Sequence, residues 1–305
     1  MAFDIKITNL VKKFGSIVAV DDLNFNVQEG EMLGLIGPDG AGKTTTLRIL
    51  CGLLIADEGE CLVGGKDVRS QLSAVRQFIG YMPQRFSLYP DLTVAENLRF
   101  FADLFQVSKA ERENRMKRLL EFNRLSPFSN RRAAALSGGM KQKLALSCTL
   151  IHTPKILLLD EPTTGVDPLS RREFWDILKE LRSSGVTILV TTPYMDEAAK
   201  CNRVAFIHNG KILLVTEPEK IAHQFENTVM EIVCDQNVRA AKILKAGNQF
   251  DSVHSFGDRV HLSSHQTSEQ MGSIIKNLLE AENIQINSIK EISASIEDVF
   301  VELIA

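Results

Sequence analysis

The chain has 305 residues, 44% of them hydrophobic and 24% charged, with a formal net charge of −3. That composition suits a folded globular chain of one large domain or a large and a small one, and gives no reason to expect nucleic acid as a partner. No apolar run approaches the ~18–20 residues that span a bilayer, and Met1-Ala2-Phe3-Asp4-Ile5-Lys6 lacks the basic and apolar regions of a signal peptide, so a cytoplasmic location is expected.

Phe3 to Asn9 alternates apolar with polar residues and reads as a half-buried strand. Phe14-Gly15 turns the chain into a second strand pattern within Ile17 to Val27. Glu31 to Ile36 reads as a buried strand. It runs into Gly37-Pro38-Asp39-Gly40-Ala41-Gly42-Lys43-Thr44-Thr45, which fits the phosphate-loop pattern G-x-x-x-x-G-K-[ST]. Glycines let such a loop curl so that its N–H groups point at phosphate oxygens. Lys43 brings a mobile positive charge, and the Thr44 hydroxyl is a ligand type that Mg²⁺ prefers. Thr45 to Leu50 reads as a helix whose positive dipole end faces the phosphates. The loop alone says only nucleoside triphosphate.

Gln77 to Met82 reads as a further strand. Thr93 to Phe105 then shows helical spacing, with Thr93 as N-cap and Glu96 at the capping-box position. Lys109 to Phe122 is a second, highly charged helix with a solvated face. A helical subdomain of about 87–150 is therefore inserted between strand regions. Ile156 to Asp160 is an uninterrupted apolar run, as expected of a parallel strand buried on both faces. Pro168 to Arg182 reads as a helix and Val186 to Val190 as the next buried strand. Asn209-Gly210 marks a hairpin between Val204–Ile207 and Ile212–Val215. Residues 216–227 read as a polar connection. Beyond it the order β-α-β-β-α-β, closed by a helix from Ile296 to Ile304, predicts a small ferredoxin-like accessory domain. The expected division is therefore 1–227 and 228–305. The five scattered cysteines form no C-x-x-C pair and read as buried reduced thiols.

Two further stretches carry chemistry. Asp160-Glu161 ends the most apolar strand, and ligands of open parallel sheets sit at carboxyl ends of strands. Asp160 is placed to hold Mg²⁺ through water, and Glu161 to polarise the water that attacks a γ-phosphate. An ordinary acidic strand end before Pro162 is the alternative. In Leu136-Ser137-Gly138-Gly139-Met140-Lys141-Gln142, Ser137 can cap a helix while Gly138 and Gly139 present backbone N–H groups at its start, a second anion site.

With these motifs in hand, residues 1 to about 227 resemble the ATP-binding subunit of an ABC transporter, and the LSGG stretch is the most specific part of the match. The resemblance implies an α/β fold: a P-loop cassette with a mixed sheet core and inserted helical subdomain, followed by a small α+β domain. It implies ATP and Mg²⁺ as cofactors. It implies a second cassette packed head to tail, so that the phosphate loop of one chain and Ser137, Gly138 and Gly139 of the other enclose each ATP. By the same resemblance Gln84 touches Mg²⁺ and senses a separate membrane subunit, Asp167 lies at the dimer seam, and Phe14 stacks on adenine unless it is a core residue. The ending Ser295-Ile296-Glu297-Asp298-Val299-Phe300-Val301-Glu302-Leu303 is similar to tails of drug- and polysaccharide-exporter branches. The expected protein is an ATPase motor on the cytoplasmic face of a membrane, driving export.

One position departs from the pattern. The family reads Thr-Thr-His-Tyr-Met-Asp-Glu-Ala after this strand, and the chain reads Thr191-Thr192-Pro193-Tyr194-Met195-Asp196-Glu197-Ala198. Proline at the switch-histidine position offers neither a side-chain donor nor a backbone N–H. A weakly hydrolysing or regulatory cassette beside an active partner therefore stays open. So does a soluble, non-transport ABC ATPase.

Overall fold

The computed structural model describes residues 3–85, 88–225 and 227–304. Met1, Ala2, residue 87 at the expected start of the helical subdomain and the terminal Ala305 lie outside the described residues. Strand β1 (Phe3–Phe14) continues past Asn9 and turns through Gly15-Ser16 into β2 (Ile17–Gln28). Both join a four-stranded antiparallel sheet in the order β2-β1-β4-β5, with β4 (Glu58–Val63) and β5 (Lys66–Asp67). Between them in sequence lie β3 (Met32–Ile36) and α1 (Lys43–Leu50). Helix α1 packs between the two sheets of this unit: Leu47, Ile49 and Leu50 share one buried cluster with Ile5, Ile7 and Leu10 of β1 and with Leu158 and Leu189.

The second sheet is six-stranded, in the order β10-β9-β3-β8-β7-β6. Its members are β6 (Ile79–Met82), β7 (Ile156–Asp160), β8 (Thr187–Thr192), β9 (Arg203–His208) and β10 (Lys211–Thr216), besides β3. Strands β6, β7, β8, β3 and β9 pair in parallel. Every residue of β3, β7 and β8 is buried, as follows when both faces of a parallel sheet are covered. The strand expected from Gln77 begins only at Ile79. Gln77 and Phe78 end α2 (Leu72–Phe78), a helix the reading of the sequence missed although Leu72, Val75 and Phe78 recur every third residue.

Helices α3 (Val94–Leu104), α4 (Lys109–Phe122) and α5 (Gly138–Leu150) enclose a separate core of Val94, Leu98, Met116, Leu136 and Leu144. The Thr93–Glu96 capping box closes the start of α3 in both directions. Helix α6 (Pro168–Ser183) follows β7, and the single turn α7 (Met195–Ala198) follows β8.

The chain divides into two compact units, Met1–Val215 and Thr216–Ala305. The stretch read from sequence as a polar connection carries α8 (Pro218–Gln224). The second unit then runs β11 (Thr228–Cys234), α9 (Asn237–Ala246), β12 (Ser252–Phe256), β13 (Arg259–Ser264), α10 (Ser268–Ala281), β14 (Ile286–Ile292) and α11 (Ile296–Ile304). Its sheet is antiparallel in the order β12-β13-β11-β14. Met230 and Ile232 of β11 join a core with Leu244 of α9 and Ile275 and Leu279 of α10. Strand alternation turns Glu231 and His261 to the other face, where Asp298 of α11 meets His261. All five cysteines are buried and unpaired. Among the described residues no helix is long and apolar enough to cross a membrane.

Candidate nucleotide-binding site

The site is built at the carboxyl end of β3. Gly42 holds φ at +107°, and a Cβ there would lie 2.5 Å from the Ala19 carbonyl oxygen; one at Gly37 would lie 2.1 Å from that of Ile207. Only glycine fits this close approach of three backbone segments. The loop is clasped from outside, because the Gly210 N–H in the β9–β10 turn donates to the Ala41 carbonyl at 3.0 Å. Asn209-Gly210 therefore supports the loop as well as turning the hairpin. Ala19, Asp39, Gly40, Gly42, Lys43, Thr44, Thr45, Gln84 and Glu161 line a cavity of about 350 Å³ over the loop.

Lys43 is buried, and its ammonium donates to the carbonyls of Gly37 and Pro38 at 2.8 and 3.0 Å. It also lies 3.2 Å from Glu161 Oε1 and 3.9 Å from Oδ1 of the exposed Asp39. The Thr44 hydroxyl donates to Asp160 Oδ1 at 2.9 Å, as does that of Thr191 from the adjacent strand. Glu161 Oε2 accepts from Gln84 Nε2 at 2.9 Å and from the Thr164 hydroxyl at 3.3 Å. Its N–H donates to the Thr191 hydroxyl and carbonyl, which ties the β7 end to the β8 end. Asp160 and Glu161 are thus a buried pair and not a surface acidic strand end. Burial pushes the Asp160 carboxyl above its usual range; the Thr191 and Thr44 hydroxyls pull the other way without cancelling it, and the Glu161 charge adds to the rise. A cation beside it would restore the carboxylate.

These groups fit a magnesium nucleotide. The Thr44 proton is already committed to Asp160, which leaves a hydroxyl lone pair for a metal. Among the described residues no cluster of three or more His, Cys, Asp or Glu surrounds this point. The oxygens of Thr44 and Asp160 suit an ion that keeps waters and takes further ligands from phosphate.

The remaining expected residues fall elsewhere. Ser137 is the exposed N-cap of α5, accepting from the Met140 N–H at 3.3 Å. Gly138 is exposed, but Gly139 is buried, and a Cβ on it would meet Ser170 at 2.4 Å. A glycine is therefore required where α5 packs against α6. None of the three lines the cavity over the phosphate loop of the same chain. Asp167 caps α6 by accepting from the Ser170 N–H at 2.9 Å. Phe14 is 46% exposed, with the Lys12 ammonium 5.4 Å from its ring centroid, which excludes a core role; it does not line the cavity, whereas Ala19 does. Pro193 is half-buried between β8 and α7.

Two polar residues at the site, Thr191 and Thr164, and a buried pair behind it, Glu197 and Arg171, were not singled out from sequence. Thr164 and Thr191 lie beside the acidic strand end and in the Thr-Thr pair that closes β8, so adjacency was their only signal. Glu197 is fully buried and ion-paired with Arg171 at 3.6 Å.

A glycine-cradled loop between a buried strand and a helix, facing a strand-end Asp-Glu on a parallel sheet, defines a P-loop nucleotide-binding protein. The family model described as ABC transporter matches residues 20–164. A probable multidrug ABC transporter ATP-binding protein, YbhF of Escherichia coli (strain K12), is 44% identical over 73% of the chain, which spans only 39% of that relative's length. Nod factor export ATP-binding protein I of Ralstonia nicotianae (strain ATCC BAA-1114 / GMI1000) is 40% identical over 76% of the chain and 73% of its own. Among solved structures, a dimeric post-hydrolysis state of the ATP-binding cassette MJ0796 bound to ADP and Pi aligns with a TM-score of 0.63 and 30% identity, covering 70% of this chain and 98% of that one. The chain belongs to the ATP-binding subunits of ABC transporters.

Proposed function

We propose that the chain is the ATP-hydrolysing motor subunit of an ABC exporter, working on the cytoplasmic face of a membrane against a separate membrane subunit. The observation that carries this is the convergence of Thr44 on Asp160 and of Gln84 on Glu161 over one glycine-built cavity. Bound MgATP would supply the electrophilic γ-phosphoryl group and a charge-neutralising ion. The N–H groups of residues 40–45 cradle phosphate oxygens, and Lys43 exchanges its loop carbonyls for phosphate charge. Thr44 and Asp160 would hold Mg²⁺, with Gln84 beside them. Glu161 accepts the proton of the attacking water and is oriented by Gln84 and Thr164.

Ser137 and Gly138 are exposed and away from this cavity, which supports a site completed by a second cassette packed head to tail. Asp167 then lies at the seam while capping α6, and Phe14 offers its exposed ring to adenine. The names of relatives that export Nod factors or are described as probable multidrug transporters favour export. Residues 228–305 are read as a ferredoxin-like accessory domain that regulates the cassette or meets its partner.

The test is ATP turnover by the purified chain, alone and with its membrane subunit. Glu161→Gln should bind ATP and accumulate as a dimer while hydrolysis falls to background. Unchanged turnover in that variant would sink the reading. Pro193 favours one second reading: a slow cassette whose intact Ser137 side completes a faster site on a partner.

A further inference from the structure

Glu197 carries a carboxylate with 0% side-chain exposure, away from the cavity over the phosphate loop. Its Oε1 accepts from the Thr163 hydroxyl at 2.6 Å, and its Oε2 from the Thr192 hydroxyl at 2.5 Å. The Arg171 guanidinium of α6 stands 3.6 Å from Oε1 and lies over the Tyr194 ring at 4.2 Å. Thr163 is two residues beyond Glu161, and Thr192 immediately precedes Pro193. One buried carboxylate therefore ties the loop that carries the strand-end glutamate to the segment at the switch position.

A buried carboxylate is costly unless several donors hold it, so this group is poorly explained as packing. An apolar side chain would seat α7 without drawing on two threonine hydroxyls and an arginine. What the carboxylate adds is a defined separation between two loops, because each oxygen answers to a different one. The segment needs such a fixture, since proline has neither an N–H nor a donor of its own. The Tyr194 N–H turns back to the Thr192 hydroxyl at 3.0 Å, so both neighbours of Pro193 depend on the same anchor.

We propose that Glu197 is a positioning residue that, through Thr163 and Thr192, sets the placement of Glu161 relative to residues 192–194 during hydrolysis. This rests on the functional reading above. Its test uses the full chain, with steady-state ATP hydrolysis, ATP affinity and melting temperature measured together. Glu197→Gln removes the charge and one acceptor oxygen. It should lower kcat about tenfold, the scale of one lost charged hydrogen bond, while KM and Kd for ATP stay within about twofold because Lys43 and the loop are untouched. Thr163→Val should act in the same direction. The double variant should be no slower than the worse single one, since both cut the same link.

A purely structural role would shift the melting temperature, leave kcat in the folded fraction unchanged and give additive losses. That result overturns the proposal, as does a kcat within twofold of the parent in both single variants. If Glu197→Gln does not fold, Thr163→Val and Thr192→Val carry the test with the same criteria. Failure of the parent chain and its membrane complex to hydrolyse ATP would overturn the functional reading, and the proposal with it. A parent that hydrolyses beside unaffected variants overturns the proposal alone.

Discussion

Lys43 Nζ lies 3.2 Å from Glu161 Oε1, so an ion pair lines the cavity. Each neutralises the other where phosphate would lie, with the ammonium resting on two loop carbonyls. Lys43→Ala removes the positive partner. It should weaken ATP binding by ~1.5–3 kcal/mol, the usual worth of a charged hydrogen bond, and calorimetric titration with MgATP checks this. Affinity unchanged from the parent would mean that the nucleotide does not meet this lysine.

Pro193 should slow the site without silencing it. Thr192 is extended in β8 as a residue before proline must be, and the hydrogen bond at the turn is made by the Tyr194 N–H, so replacing the proline costs no existing bond. Pro193→His should therefore fold normally and raise hydrolysis several-fold in a phosphate-release assay. A missing switch contact is worth roughly 10- to 100-fold in rate at ~1.5–3 kcal/mol. An unchanged or lower rate, with Glu161→Gln inactive, would show that the switch works without a histidine.

The cassette was readable where a local pattern has one physical solution. Gly37 to Thr45, the apolar run into Asp160, the Thr93 capping box and the Asn209-Gly210 turn each dictate their own geometry, and the structure has them there. Helix α2 was missed despite its three-residue apolar spacing, because the apolar Phe78-Ile79 pair continues smoothly into β6 and hides the change of period. Contacts between distant segments were beyond reach altogether. Nothing near Glu197 in the sequence announces Thr163, and nothing near Gly139 announces Ser170. The packing role of Gly139 could not be read, because its partner lies on another helix.

Attachment of α11 to the second unit should depend on pH. Burial alone would lower the His261 pKa, but the Asp298 hydrogen bond and charge, helped by Glu231, outweigh it and raise it. Burial would raise Asp298, but His261 and Ser295 bring it below its usual range. Phe256 and the cross-strand neighbour His254 of β12 also adjoin His261, while Arg259 and Lys290 engage Glu231 and hold it at about 2. The histidine's contribution is complete below ~6.5, its unfolded value, and is lost as pH climbs through the raised folded value. The aspartate's is present above its unfolded value and is lost as pH falls through the lowered one. Amides of α11 should therefore exchange more slowly, after correction for intrinsic rates, at about pH 5.5 than at about pH 8.5. His261→Gln should flatten that difference.

Thr93→Ala should destabilise the first unit by about 1 kcal/mol. It removes the hydroxyl acceptor for the Glu96 N–H while leaving the reciprocal bond from the Thr93 N–H to Glu96. Urea denaturation of the parent and the variant measures it. A midpoint unmoved by the substitution would mean that the start of α3 is held by its neighbours and not by its cap.

The contact of Gly139 with Ser170 has a mechanical consequence. With no room for even a methyl group between them, the first turns of α5 and α6 form one close-packed corner. The loop that leaves Glu161 ends at that corner, where Asp167 closes α6. The N-cap serine of α5 and the far end of the glutamate's own loop therefore share one close-packed corner. A rotation of α5 that kept this corner packed would carry the α6 end of that loop with it.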